Sequence, residues 1–159
     1  MKPAAFDYVA PATIEEALET LAGAGGDAVV LAGGQSLLPL MALRMSTPSV
    51  VVDINRIDSL RGVVRTSDGM QVGPVTRQNT IIASDALQSA LPVLVDATRH
   101  VGHPQTRNRG TIGGSIALGE PAAELPAVAV ALGATIEARS KRGLRTIAAD
   151  AFYVGPYSS

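Results

Sequence analysis

The chain has 159 residues, of which 47% are hydrophobic and 17% are charged. This apolar fraction is enough for a packed core, and the net charge of −1 gives no electrostatic reason to expect nucleic acid as a partner. The chain has no cysteine, which excludes disulfides, thiolate nucleophiles and cysteine-ligated iron–sulfur or zinc sites within it.

The first 57 residues predict a small α/β unit. Thr13 and Glu16 have the spacing of a capping box at the start of an amphipathic helix that glycines end before residue 27. Buried strands are predicted over Val29–Ala32 and Ser49–Ile54, with a helix over Leu37–Met45 between them. The N-terminus has no apolar run fit for a signal peptide and no stretch reaches membrane-spanning length, so we expect no membrane span and a cytoplasmic protein.

Residues 58–159 predict a second unit of mixed α and β structure. Two short strands are expected around a Ser-Asp-Gly turn, followed by helices, a long ordered loop, one more helix and a hairpin. The predicted elements are strands Gly62–Arg65 and Met70–Gly73, helices Asn79–Ser89 and Val93–His100, the loop Val101–Gly114, the helix Ala122–Leu132, and strands Thr135–Arg139 and Leu144–Ala148.

Two glycine pairs, each followed by a hydroxyl side chain, are the main candidates for a binding site. The first glycine segment, AGGQS (32–36), joins a predicted strand to a predicted helix, and the second, TIGGS (111–115), ends the predicted loop. Glycines lack Cβ, so successive N–H groups can form one concave surface against an anion, and a helix N-terminus adds to it. The two segments are either unrelated turns or two parts of a site for an extended diphosphate.

Other local patterns predict ordinary structure. Residues 23–28 match a dinucleotide fingerprint by letter, but they follow a helix and precede a strand, the reverse of that motif's context. His100 and His103 lie in a loop with no third ligand nearby in sequence, so no metal site is predicted. Glu124 either complements the start of its helix or accepts hydrogen bonds from the hydroxyls of a nucleotide ribose.

Four stretches in fixed order resemble the FAD-binding (medium) subunit of molybdenum hydroxylases, the family of carbon monoxide dehydrogenase and xanthine dehydrogenase. They are LAGGQSLLPLMALRMSTPSVVVDINRIDSLRGV (31–63), MQVGPVTRQNTI (70–81), HPQTRNRGTIGGSIALGEPAAELPAVAVALGA (103–134) and FYVGPY (152–157). The resemblance implies an FAD-binding fold of the vanillyl-alcohol-oxidase type, in the α/β class. It has a small N-terminal α/β lobe (1–57) and a larger α/β lobe (58–159) that is incomplete, with the family's C-terminal domain absent.

The resemblance also implies where FAD binds. Residues around the first glycine segment would hold the pyrophosphate and the isoalloxazine side, Val101 and Gly102 would lie near the flavin, and Glu124 would hold the adenosine ribose. The cofactor-binding residues implied are Val29, Val30, Leu31, Ala32, Gly33, Gly34, Gln35, Ser36, Leu37, Val101, Gly102, Thr111, Gly114, Ser115 and Glu124. No catalytic acid or base is implied.

The chain departs from the family's pattern at two positions. Relatives often carry Asn or Asp where Ser115 stands and Ala where Pro74 stands, and a proline has no N–H to donate. Such subunits usually continue for more than a hundred further residues, so we expect weakened FAD retention by a chain of this length.

The function implied is that of an electron-transfer subunit in a multi-subunit oxidoreductase. A large partner subunit would carry the molybdenum cofactor and a small one the 2Fe-2S clusters, which agrees with the absence of cysteine here. Two alternatives remain open: a stand-alone flavin-dependent reductase or oxidase of the same fold, and a truncated, non-catalytic scaffold lobe.

Overall fold

The computed structural model describes all residues from Met1 to Ser159. Three small sheets, nine α-helices and two short 3-10 helices (Ile54–Arg56 and Asp58–Leu60) make up the chain. The strands are β1 (Asp7–Val9), β2 (Ala28–Leu31), β3 (Val50–Asp53), β4 (Val63–Arg65), β5 (Met70–Val72), β6 (Thr135–Ser140) and β7 (Gly143–Ala148). The helices are α1 (Ile14–Gly23), α2 (Leu37–Ala42), α3 (Gln78–Ile82), α4 (Asp85–Ala90), α5 (Pro92–His100), α6 (Pro104–Arg109), α7 (Ile112–Leu118), α8 (Glu124–Ala131) and α9 (Ala149–Phe152). None of these helices combines the length and the apolar character needed to cross a bilayer.

The N-terminal part is a parallel three-stranded sheet with the order β1-β3-β2. The predicted capping box begins α1: the Thr13 hydroxyl accepts from the Glu16 N–H at 3.2 Å, and the Glu16 carboxylate accepts from the backbone of Thr13. Ala17 on α1 packs against Val52 of β3 and against Ile57. Because β2 and β3 are parallel neighbours, their carboxyl ends lie at the same edge of the sheet.

The second part is built around a helical core. Its buried side chains come from α3, α4, α5 and α8, and the hairpin β4–β5 packs on them through Val63, Met70 and Val72. The fully or nearly buried core residues are Ile81, Leu87, Leu94, Val95, Leu125 and Val128. The boundary at residue 57 stays a prediction; the parallel sheet lies before it, and the two antiparallel hairpins lie after it.

The last hairpin, β6–β7, matches the predicted strands, with Thr135 opposite Ala148 and Ser140 opposite Gly143. On its exposed surface Arg139 is paired with Glu15 of α1 at 3.0 Å. Both side chains are more than half exposed, so this pair contributes little stability.

The predicted loop over Val101–Gly114 is wrong, because helices α6 and α7 occupy most of it. Pro104 is the first residue of α6, where its missing N–H costs nothing, and Thr111 caps α7. The predicted helix Asn79–Ser89 is two helices instead, with Ser84 capping the second of them through the Leu87 N–H.

Candidate functional site

The two glycine segments are in contact with each other. An ideal Cβ built on Gly33 would lie 2.7 Å from the Arg109 carbonyl oxygen, 2.9 Å from the Gly110 Cα and 3.1 Å from the Thr111 nitrogen. Real Cβ atoms do not approach backbone atoms so closely, so only glycine fits at position 33. The structure therefore brings residues 32–36 and 111–115 to one place, although they are far apart in the sequence.

The first glycine segment presents a row of free backbone donors. It follows β2 directly and leads into α2, and none of the N–H groups of residues 33–37 donates a hydrogen bond within the chain. Gly34 has φ +71°, a left-handed conformation that L side chains rarely adopt. Gln35 and Ser36 are exposed, and the Ser36 hydroxyl makes no capping bond. Consecutive unpaired N–H groups around a left-handed glycine are a binding surface for an anion.

The second glycine segment is the N-terminus of α7, and the backbone donors of residues 112–115 are already used. The N–H of Ile112 donates to the Thr76 carbonyl at 3.2 Å, and that of Gly113 donates to the Pro74 carbonyl at 2.9 Å. The N–H groups of Gly114 and Ser115 donate to the hydroxyl and the carbonyl of Thr111, each at 3.2 Å. Three of the donors that a helix usually leaves free, those of residues 112–114, are therefore satisfied, and the Ser115 N–H makes the first bond of the helix itself. The interpretation of TIGGS as a second loop like the first is corrected by this geometry.

The second segment can still contact a ligand in two ways: the backbone at Gly114 allows a close approach, and Ser115 supplies a hydroxyl. Gly114 is exposed, and a Cβ on it would meet only the Thr111 hydroxyl at 2.9 Å and the Ala32 Cβ at 3.9 Å. Ser115, next along α7, is half-buried and makes no side-chain hydrogen bond. Gly113 has another role, since a Cβ there would lie 2.4 Å from the Pro74 Cβ.

A polar network lies behind the contact between the two segments. Asn55 Nδ2 donates to the Ala32 carbonyl at 2.7 Å, and Arg77 Nη2 donates to Asn55 Oδ1 at 2.6 Å. Arg77 also donates through Nη1 to the Arg109 carbonyl, the oxygen against which Gly33 packs. The Asp53 carboxylate accepts from the backbone N–H and side chain of Asn55, at 2.8 and 2.6 Å.

Two arginines near this contact, Arg77 and Arg109, carry positive charges that no carboxylate pairs with. Neither Arg77 nor Arg109 forms an ion pair. Partial burial, followed by repulsion from Arg109 and Arg61, lowers the pKa of the Arg77 guanidinium from its ordinary value, although arginine stays charged at physiological pH. Burial pushes the pKa of Asp53 upward, but hydrogen bonds from the Tyr8 hydroxyl and from Asn55 outweigh it and hold that pKa below its ordinary value. An anion bound here would relieve the repulsion among the arginines.

Three of the residues implied by the resemblance, Val101, Gly102 and Glu124, are not among the groups that form this contact. Val101 and Gly102 are at the other end of α6 from Gly110, and the Arg107 guanidinium donates to both of their carbonyls, at 3.0 and 3.1 Å. Glu124 is the first residue of α8, and its side chain has no hydrogen bond or ion pair within the chain. The implied residues Val29, Val30 and Leu31 belong to strand β2, which leads directly into the first glycine segment.

Sequence reasoning missed Asn55 and Arg77. A signal for Asn55 was present, because it follows the buried strand β3 by two residues, at the edge where parallel strands end and ligands commonly bind. Arg77 precedes α3 in a region without a recognisable motif, and only the folded chain brings it to Asn55 and Arg109.

The residues present fit a diphosphate-containing nucleotide. The first segment supplies free N–H groups, the second supplies an exposed glycine facing Ala32, and unpaired cations lie behind both. Neither segment contains a histidine, an acidic residue, a lysine or a cysteine.

Comparison with known proteins identifies the class of the fold, an FAD-binding domain, and specifies the family. Residues 4–159 match the model of the FAD binding domain in molybdopterin dehydrogenase. The chain belongs to this family.

The proteins similar to this chain are subunits or chains of a hydroxylase, a dehydrogenase and an oxidoreductase. The chain is 46% identical over 157 residues to the nicotine 6-hydroxylase medium subunit of Paenarthrobacter nicotinovorans, a match covering 99% of the chain and 55% of the relative. It superimposes with a TM-score of 0.98 and 43% identity on a chain of carbon monoxide dehydrogenase from Hydrogenophaga pseudoflava, covering 100% of this chain and 55% of that one. For quinoline 2-oxidoreductase from Pseudomonas putida 86 the TM-score is 0.96 and the identity 38%, covering 99% and 55%. The chain thus spans about half the length of the relatives it matches.

Proposed function

We propose that the first glycine segment binds the diphosphate of FAD through its backbone N–H groups. The observation that carries this proposal is the row of unpaired donors at residues 33–37, placed against the buried contact of Gly33 with α6 and α7. Phosphate oxygens are acceptors only, so they complement such a row of donors. Family membership supplies the identity of the nucleotide.

We propose the remaining cofactor-binding residues from the resemblance to the family. Val29–Leu37 hold the pyrophosphate and the isoalloxazine side, and Thr111, Gly114 and Ser115 contact the nucleotide. Val101 and Gly102 lie near the flavin. Glu124, which has no partner within the chain, accepts hydrogen bonds from the adenosine ribose.

We propose that the chain is the FAD-binding part of an electron-transfer subunit in a multi-subunit molybdenum-containing hydroxylase or dehydrogenase. Its support is the similarity to medium subunits and chains of such enzymes, including the carbon monoxide dehydrogenase medium chain of Hydrogenophaga pseudoflava. When bound, FAD supplies the electron-carrying ring that an oxidoreductase of this kind needs. The protein's own groups bind and orient the nucleotide, and none is assigned a proton transfer.

The partners in this proposal are a large subunit with the molybdenum cofactor and a small subunit with 2Fe-2S clusters. Iron–sulfur clusters are held by cysteine thiolates, and this chain has none. Electrons therefore reach the chain from a partner's clusters and leave it to an external acceptor. The compartment proposed is the cytoplasm, which cell fractionation tests.

The proposal is tested by purifying the full-length protein from its native source with a tagged chain. We expect a flavin absorbance spectrum, FAD on analysis of the released cofactor, and two co-purifying subunits that contain molybdenum and iron. FAD without those subunits would support the stand-alone flavoprotein, and a colourless protein that does not take up added FAD would support the scaffold.

A further inference from the structure

The backbone carbonyls behind the two glycine segments are held by the side chains of two residues. Asn55 binds the carbonyl of Ala32, in the first segment, and Arg77 binds the carbonyl of Arg109, just before the second. The two side chains are bonded to each other at 2.6 Å. One continuous set of hydrogen bonds therefore spans the contact at Gly33.

The orientation of the Asn55 amide is determined by its neighbours. Arg77 has only donors, so Asn55 must present Oδ1 to it, and Nδ2 is then directed to acceptors. Those acceptors are the Ala32 carbonyl at 2.7 Å and Asp53 Oδ1 at 2.6 Å. Asp53 is held in turn by the Tyr8 hydroxyl at 2.6 Å.

Holding the Ala32 carbonyl also sets the direction of the first free donor. The peptide bond between Ala32 and Gly33 is planar and trans, so its C=O and N–H point in opposite directions. The N–H of Gly33, which has no acceptor in the chain, therefore points away from Asn55. A donor aimed in advance needs no reorganisation when an anion binds.

We infer that Asn55 and Arg77 are positioning residues for the diphosphate, acting through the carbonyls of Ala32 and Arg109 without touching the ligand. The inference rests on the proposed binding of FAD at the first glycine segment. According to this inference, residues that follow β3 and precede α3 contribute to the affinity for FAD, although they belong to neither glycine segment.

The sharpest test is the near-isosteric substitution Asn55→Asp. The new carboxylate keeps an acceptor for Arg77 but puts an oxygen, in place of a donor, against both the Ala32 carbonyl and the Asp53 carboxylate. We expect the Kd for FAD to rise about tenfold, measured by titrating the deflavinated full-length protein in its native assembly. Adenosine diphosphate, which carries the diphosphate without the flavin, should lose affinity by the same factor.

The matched control is Gln88→Glu, another amide-to-carboxylate change beside an arginine. Gln88 is exposed on α4 and accepts from Arg99 at 3.2 Å, with no link to either glycine segment. Its Kd for both ligands should equal that of the wild type. Thermal unfolding of the ligand-free proteins, recorded in parallel, separates loss of affinity from loss of fold.

A second variant keeps the inference testable if Asn55→Asp does not fold. Arg77→Lys retains the positive charge, but its single ammonium replaces a planar fork that reaches two acceptors. We expect weaker binding of both ligands, and in the double variant a combined effect smaller than the product of the two single effects.

Two outcomes would overturn the inference alone, and a third would overturn the proposed function as well. Wild-type affinity in folded Asn55→Asp and Arg77→Lys proteins would remove it, as would a loss of FAD binding without loss of adenosine diphosphate binding. In either case the proposed function would stand. A wild-type protein that binds neither ligand would overturn the proposed function together with the inference.

Discussion

Gly33 packs against the carbonyl oxygen of Arg109 with no room for a side chain: an added Cβ would lie 2.7 Å from that oxygen. The same oxygen accepts a hydrogen bond from Arg77, and the Gly33 N–H remains free. One small residue thus joins the parallel sheet to the helical part of the chain and also begins the row of donors proposed to bind FAD.

The substitution Gly33→Ala should therefore impair both stability and binding. The methyl group has to push backbone away from backbone, which costs about 1–3 kcal/mol. Urea denaturation should show this loss, and titration with FAD should show a raised Kd. Gly23→Ala, at the end of α1 with nothing within 4 Å of the added Cβ, is the control and should be near neutral. An equally stable Gly33→Ala protein would contradict the contact described.

Gly114→Val should affect binding more than folding. The added Cβ would meet only the Thr111 hydroxyl at 2.9 Å and the Ala32 Cβ at 3.9 Å, on an exposed surface. We expect FAD occupancy to be lost while the far-ultraviolet circular dichroism spectrum is kept. Ala117→Val, on an exposed position of the same helix, should retain the flavin, and full occupancy in Gly114→Val would argue against nucleotide binding at α7.

Thr111→Val should destabilise the chain and leave the free N–H groups of the first glycine segment in place. The Thr111 side chain is the cap of α7, and the residue is only 2% exposed, so water cannot easily replace the lost acceptor for the Gly114 N–H. We expect a loss of about 1–2 kcal/mol in chemical denaturation. Thr146→Val, on the exposed strand β7, should change stability much less; equal effects would mean that the cap is not significant.

Asp53→Asn should change the pH dependence of unfolding. The folded-state pKa of Asp53 lies below its ordinary value of 3.8, so its carboxylate stabilises the fold above that value and this contribution is lost as the pH falls through the folded-state pKa. The wild type should exceed the variant in stability most at neutral pH, and the difference should shrink in acid. A difference independent of pH from neutrality to pH 3 would contradict this role.

Local signals predicted the elements whose causes are local. The capping box of Thr13 and Glu16 begins α1, and the Ser-Asp-Gly turn joins β4 to β5, because the residues that decide these features are neighbours in the sequence. Helices α6 and α7 were mistaken for a loop because Gly, Pro and Asn are common there. The start of α7 is supported instead by distant carbonyls, those of Thr76 and Pro74.

The candidate site was predictable in part for the same reason. Paired glycines are visible in a sequence, and both segments do lie at one contact. What a sequence does not display is which N–H groups remain free: those of residues 33–37 do, whereas those of residues 112–115 are used within the fold. The roles inferred for Asn55 and Arg77 depend on carbonyls that only tertiary structure brings within reach.

The contact at Gly33 makes the binding surface a property of the native state alone. Its two sides come from distant parts of the chain, so an unfolded chain has no equivalent surface to offer FAD. A ligand that binds only the folded form stabilises it, by about 2.7 kcal/mol when its free concentration is one hundred times Kd. The supply of free flavin should therefore influence how much of this protein persists in a cell as well as how much of it is active.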